Sequence, residues 1–246
     1  MEFRLMHLYP DLMSLYGSYA NLAVLKRRLE EAGHTVRLEI LRPGDAPDLA
    51  GGDLLYMGAG TENSADAALE ALSPFAGALA SAAEDGLPVL FAGTAMELLG
   101  QSIARADGTV LPGLGLGEFA SVRGDRRLTG DVYGHTDLYP EAVVGFMNKC
   151  SLIRGVETPL VTEVSMGWGN EGPETPEGYR RKNVFASALT GPILVKNPRL
   201  LEVFTALLCG RRGAETPPPL SGDTWAEKGY AVTEEQLRLR KDKNSR

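Results

Sequence analysis

The amino-acid sequence predicts an α/β fold, a mixed and mostly parallel central sheet with flanking helices. Three observations carry that prediction. The continuous apolar runs DLLYMGAG (53–60) and GLPVLFAG (86–93) each end in glycine, the pattern of a central parallel strand entering a ligand-facing loop. Ahead of them apolar residues recur at helical spacing, as at Leu22, Leu25 and Leu29. The resulting β-α-β rhythm of the first hundred residues forces parallel pairing with helical crossovers.

Taken in order, FRLMHLYP (3–10) reads as a first strand, followed by the loop DLMSLYGS and the helix YANLAVLKRRLEEAG, which Gly33 stops. TVRLEIL alternates Val36, Leu38 and Ile40 as a strand should. After DLLYMGAG an alanine-rich helix is expected from about Asp66 to Ala83, interrupted near Pro74. GLPVLFAG is the next buried strand and AMELLGQSI the next helix. From 108 to 190 the rhythm changes to short alternating segments, LTGDVYG, AVVGFMN, LVTEVSM and NVFASAL, parted by turns such as PGLGLG and GWGNEGPETPEG. They predict a partly antiparallel extension of the same sheet. NPRLLEVFTALLCG (197–210) is a last amphipathic helix. Beyond it a proline-broken connector leads to a short charged helix, TEEQLRLRKDK, too polar to bury much and so expected on the surface or against a partner. The expected organisation is one domain, 1–210, and a tail, 211–246.

Composition narrows the function. The 246 residues are 43% hydrophobic and 23% charged, ordinary for a globular protein. A net charge of −7 without a basic patch argues against nucleic-acid binding. No apolar run approaches the length of a membrane span, and MEFRLMHLYP has no basic stretch before an apolar core, so a reduced, cytoplasmic protein is expected. Cys150 and Cys209 lie far apart and His7, His34 and His135 are scattered, so neither a metal site nor a cofactor is expected.

Four stretches form a candidate site. Met57–Asn63 (MGAG-TEN) ends a central strand, where backbone N–H groups of Gly58, Ala59 and Gly60 can face a developing negative charge. GLPVLFAGTAMELLG (86–100) turns from strand to helix through Gly93, Thr94 and Ala95, the corner where α/β enzymes hold a nucleophile. GDRRLTGD (124–131) sets an arginine pair beside a glycine turn, able to grip a carboxylate. NVFASALTGPILVKNP (183–198) ends a strand at Thr190-Gly191.

With LYPDLMSLYGSYANLAVLKRRLEEAG, RLTGD, VVGFMN, GWGNEG, TGPILVKNP and the terminal SR, the chain resembles the class I glutamine amidotransferases of the cobyric acid synthase type. Among them it is most similar to the glutaminase-subunit family of lipid II isoglutaminyl synthase. The resemblance spans nearly the whole chain. It implies the three-layer fold of that class and a subunit that frees ammonia from glutamine. An ATP-dependent, Mur-ligase-like partner then amidates the α-carboxyl of D-glutamate in peptidoglycan precursors.

The family's catalytic positions are replaced. Aligned on Leu98-Leu99-Gly100, the nucleophilic cysteine falls on Gly93 and the residues after it on Thr94, Ala95, Met96 and Glu97. The catalytic histidine, in an LHGP context, falls on Thr190, and a second histidine on Lys149 after Gly145, Phe146, Met147 and Asn148. The loop backbone at Gly58, Ala59 and Gly60 survives, with the Thr94 hydroxyl next to it as part of the expected substrate-binding group, as does Arg127, which the resemblance makes a glutamine-binding or gating residue. Amide hydrolysis by this route needs a thiolate and a group titrating near neutrality. Removing the whole unit costs roughly 10⁶ in kcat in a well-studied hydrolase.

The expectation is therefore a glutaminase-deficient subunit that supports or regulates its ligase partner. The alternatives are a small-ligand sensor, holding glutamine or another amino acid through the 57–63 loop and Arg127, and a glutaminase with its nucleophile moved to Cys150 or Thr94. Against the last, Thr94 reads more simply as a helix N-cap and Cys150 as core filler, although Lys149 beside it would lower its pKa. Trp168 anchors its loop or meets a partner.

Overall fold

The computed structural model describes residues 1–221 and 224–244, and within them two six-stranded sheets. In the first, β1 (Glu2–Leu8) lies between β2 (Thr35–Leu41) and β3 (Leu54–Met57). Beyond β3 come β4 (Val89–Ala92), β11 (Val184–Ser187) and, at the edge, β10 (Tyr179–Arg181). Every pair is parallel except β10 with β11. Each residue of β3 and β4 is buried, as strands covered on both faces must be. On the edge strand β2, Val36 is buried as its alternation predicts, but Leu38 and Ile40 remain exposed.

The helices follow their spacing. Helix α1 (Ala20–Glu31) buries Leu22, Leu25 and Leu29, and also Asn21. The Asn21 amide donates to the Tyr56 hydroxyl at 3.0 Å and accepts from the Leu194 N–H at 2.8 Å, so one buried side chain joins three elements. The alanine-rich segment breaks where the proline demands: α2 (Glu62–Leu72), a 3-10 turn Ser73–Phe75, then α3 (Ala76–Glu84). Helix α2 starts four residues before the expected Asp66, because the Thr61 hydroxyl caps it by accepting the Ser64 N–H.

From β1 the chain winds through α1 to β2 on one side; from β3 it winds through α2 and α3 to β4 on the other. The winding reverses between β1 and β3, and open sheets of this kind place ligand crevices at the carboxyl ends of the strands at such a reversal. The loops after β1, β3 and β4 all emerge there.

Of residues 108–190, only 179–187 extend the first sheet as the sequence suggested. The others build a second sheet. Its centre is a long antiparallel hairpin of β7 (Ala120–His135) and β8 (Val143–Arg154), with a register break between Arg123 and Leu128. Strands β5 (Ser102–Ala104) and β6 (Val110–Pro112) flank β7 on one side, β12 (Leu189–Thr190) flanks β8 on the other, and β9 (Glu163–Met166) also pairs with β7. NVFASALTG is therefore two strands, one in each sheet, with Ala188 between them. AMELLGQSI is not an α-helix either. Gly93–Leu99 form a 3-10 segment with all seven residues buried, so it lacks the polar face that a surface helix needs, and β5 follows.

The chain ends in α4 (Ile193–Lys196), α5 (Pro198–Arg212) and α6 (Trp225–Asn244). Helix α6 is longer than the charged segment predicted and lies on the surface of its own chain, against β7, β8, α4 and α5. Leu237 is buried there, the Tyr230 hydroxyl donates to the Ala142 carbonyl at 2.8 Å, and the Tyr133 hydroxyl to Glu234 at 2.8 Å. Ser245-Arg246, the terminal SR, lies outside the described residues. No helix among those described is long and apolar enough to cross a membrane.

Candidate functional site

Gly93 follows β4 and opens the 3-10 segment with φ +67°, the left-handed conformation that favours glycine. This is the turn at which the sequence leads one to expect a nucleophile's seat. Against it lies the loop after β3. A Cβ built on Gly93 would stand 2.5 Å from the Ala59 methyl and 3.1 Å from the Ala59 Cα. Gly58 and Gly60 are small for a different reason: the 12–18 loop packs onto them. A Cβ on Gly58 would meet the Met13 carbonyl oxygen at 2.7 Å, and one on Gly60 the Leu12 carbonyl oxygen at 2.9 Å.

The Ala59 and Gly60 amides are engaged within the protein. The Gly60 N–H donates to the Thr94 hydroxyl at 2.8 Å, and that hydroxyl donates back to the Gly60 carbonyl at 2.9 Å. The Ala59 N–H donates to the Ser18 hydroxyl at 3.3 Å, and the Ala59 carbonyl accepts from the Leu15 N–H at 2.8 Å. Thr94 is therefore not the helix cap that its position suggested. Its side chain reaches sideways and staples the β4 corner to the β3 loop.

Thr190 sits in the second sheet, paired with Phe146 of β8, and its hydroxyl donates to the Phe146 carbonyl at 3.0 Å. The next residue, Gly191, faces the Tyr16 carbonyl and the Lys196 side chain, each 3.7 Å from the point where a Cβ on Gly191 would stand. Residues 15–17, which touch Ala59 on one side, thus touch the Thr190–Gly191 turn on the other. Arg127 reaches the far end of the 57–63 loop, at Glu62. Its guanidinium holds the Glu62 carboxylate at 2.7 and 2.9 Å, in an open cleft that also receives Asp66, Arg105, Arg123 and Cys150.

Cys150 is half-buried with its thiol 3.3 Å from Glu62. Burial and that carboxylate push its pKa up to about 11, the reverse of what a neighbouring lysine in sequence suggested. Alternation along β8 explains the difference, because Lys149 points the other way. The Lys149 ammonium is buried and donates to the Gly169 carbonyl at 2.8 Å and the Asn170 carbonyl at 3.3 Å. Burial lowers its pKa to about 8. Glu177, also fully buried, accepts from Ala188 N–H at 2.6 Å and the Ser187 hydroxyl at 2.9 Å, and burial raises its pKa to about 6. Trp168 packs against the main core and bridges to Pro173, an anchor for its loop.

Sequence reasoning missed the charged cluster beneath the corner. Glu97, four residues after Gly93, is buried and accepts from Arg123 Nε at 2.7 Å and from the Ser151 hydroxyl at 2.7 Å. Arg123 in turn reaches Asp66 at 2.8 Å, which Arg105 also holds at 2.7 Å. The one available signal was a glutamate inside the apolar run AMELLG. Among the described residues no group of three or more His, Cys, Asp or Glu is arranged to hold a metal.

A profile of the CobB/CobQ-like glutamine amidotransferase domain matches residues 4–198. The chain is similar to two GatD subunits of glutamine-hydrolysing lipid II isoglutaminyl synthase. That of Staphylococcus aureus (strain N315) is 28% identical over 217 residues, 88% of each chain. That of Streptococcus pneumoniae (strain ATCC BAA-255 / R6) is 28% identical over 231 residues, 92% of this chain and 88% of its own. A solved glutamine amidotransferase from Thermotoga maritima shares the fold with a TM-score of 0.51 at 12% identity, over 96% of this chain and 95% of its own. PurLQS from the same organism does so with a TM-score of 0.50 at 15% identity, over 97% and 99%. The α/β architecture is thus that of the class I glutamine amidotransferases, and the chain belongs to the CobB/CobQ-like glutamine amidotransferase family.

Proposed function

We propose that this chain is the amidotransferase-like subunit of a lipid II isoglutaminyl synthase-type complex, and that it does not itself hydrolyse glutamine. Its partner is a Mur-ligase-like, ATP-dependent subunit that amidates D-glutamate in peptidoglycan precursors, and the complex works in the cytoplasm. Residues 1–210 form the amidotransferase-like domain and 211–246 a tail. The similarity to GatD subunits over most of the chain supports the assignment to such a complex.

One observation carries the loss of glutaminase activity. At the corner where the fold presents a nucleophile stands Gly93, a residue with no side chain, in a left-handed backbone turn. No sulfur is available there to attack a carboxamide. Thr190, where the family's histidine would stand, has its hydroxyl committed to a carbonyl and no pKa near neutrality. Cys150, with a pKa of about 11, is a poor substitute nucleophile. Glutamine sensing without turnover finds less support, because the Ala59 and Gly60 amides and Arg127 all have partners inside the chain.

The test is reconstitution with the ligase subunit and a choice of nitrogen source. Amidation that runs on ammonium and not on glutamine supports the reading; equal rates with glutamine at micromolar free ammonium contradict it.

A further inference from the structure

We infer that the methyl group of Ala59 plugs the nucleophile seat and that the Thr94 hydroxyl locks the plug in place, so that restoring a sulfur at position 93 would not reopen it. The inference rests on reading Gly93 as the nucleophile position and adds that the seat is closed from the opposite loop.

Two independent contacts support it. The first is steric. A separation of 2.5 Å between the Ala59 methyl and a Cβ at position 93 is far inside van der Waals contact, and both partners are stiff: one is a methyl on the main chain, the other would be fixed by the corner. No rotation of a side chain relieves it. Ala59 is 1% exposed, and Gly93 through Leu99 are buried throughout, so neither loop has open space to retreat into. The second is polar. In an acyl-transfer site the loop amides must point at the oxyanion. Here the Thr94 hydroxyl takes the Gly60 N–H and returns its own proton to the Gly60 carbonyl, which fixes the loop that carries Ala59 against the corner. Ala59 is a positioning residue. It sets how closely the two loops approach, and that approach is compatible only with glycine at 93.

The experiment is a stability cycle with a labelling readout. Ala59→Gly alone removes a buried methyl and adds backbone freedom, and should lower Tm by a few degrees. Gly93→Ala should lower it by about 5 °C or more, through the clash and the left-handed φ together. Combining them should reverse the sign of the first change, with Ala59→Gly raising Tm in the Gly93→Ala background. If Gly93→Ala does not fold and the double variant does, the plug is equally established. Ala59→Gly destabilising both backgrounds alike, or neither variant folding, overturns it.

The second readout uses Gly93→Cys and iodoacetamide, whose iodide leaves as the sulfur–carbon bond forms. The new thiol is located by peptide mass apart from Cys150 and Cys209. Gly93→Cys should label at least tenfold more slowly with Ala59 present than in combination with Ala59→Gly. Equal rates contradict the plug. None of these readouts involves glutamine, so failure here and failure of the glutaminase-deficient reading are separate results.

Discussion

Arg123→Met tests how the corner is held. The Arg123 and Glu97 side chains are 5% and 2% exposed and meet at 2.7 Å. Removing the guanidinium leaves the Glu97 carboxylate buried with only the Ser151 hydroxyl, while Asp66 keeps Arg105. Breaking one side of a buried pair costs about 3–5 kcal/mol, because the charge left behind cannot regain its water. For a chain of this size that lowers Tm by roughly 6–20 °C. Replacing both partners, as Arg123→Met with Glu97→Met, removes the stranded charge. The double variant should then be less destabilised than the sum of the singles by about 2 kcal/mol or more. Urea unfolding at pH 7 gives each value from the shift in midpoint at constant m. Single substitutions costing under about 1 kcal/mol, or strict additivity, would refute the claim that this pair clamps the corner to the β7–β8 hairpin.

Three further outcomes follow from other buried groups. His7 is buried on β1 beside Tyr56, and burial lowers its pKa to about 4. Only the unfolded chain takes up its proton between about pH 6.5 and 4, so the stabilising neutral form is fully favourable above about 6.5 and is lost as pH falls. The penalty approaches about 3 kcal/mol below about pH 4. His7→Phe should flatten this part of the Tm–pH profile, and an unchanged profile would show that His7 does not govern it. Cys150 should react with iodoacetamide at about pH 7.5 roughly 100-fold more slowly in the native chain than in the denatured one. Glu62→Gln should speed it, and native labelling at the denatured rate would refute the raised pKa. Asn197 donates to the Val144 and Ile193 carbonyls at 3.0 and 2.9 Å and accepts from the Val144 N–H at 2.8 Å, tying the α4–α5 break to β8. Asn197→Ala strands buried backbone groups and should cost about 2–4 kcal/mol in urea unfolding; a loss below about 1 kcal/mol would argue that solvent satisfies them.

The parallel half of the fold was legible because its signals are local. LLYM and VLFA are continuously apolar, and continuous burial needs no knowledge of distant partners. The long hairpin was not. GDRR (124–127) interrupts β7 with exposed residues just where its register breaks, so one sixteen-residue strand read as shorter pieces. The same distinction runs through the site. The corner at Gly93 could be read from strand, glycine and small residues in sequence. The contact of Ala59 with that corner joins residues 34 apart, as does the Thr94–Gly60 staple, and neither leaves a periodicity to detect. Burial, with Glu62 from 88 residues away, raises the Cys150 pKa, while the adjacent Lys149 faces the Gly169 and Asn170 carbonyls instead.

Whether a chain with glycine at position 93 hydrolyses an amide is decided by glutamate release from glutamine, measured on the purified chain alone and with the proposed ligase partner. An ordinary enzyme turns over at about 10 s⁻¹, and loss of nucleophile and base together lowers that by roughly 10⁶. Release should be indistinguishable from the uncatalysed background in both preparations. Turnover near about 1 s⁻¹ in either would contradict the loss of function assigned to Gly93 and Thr190.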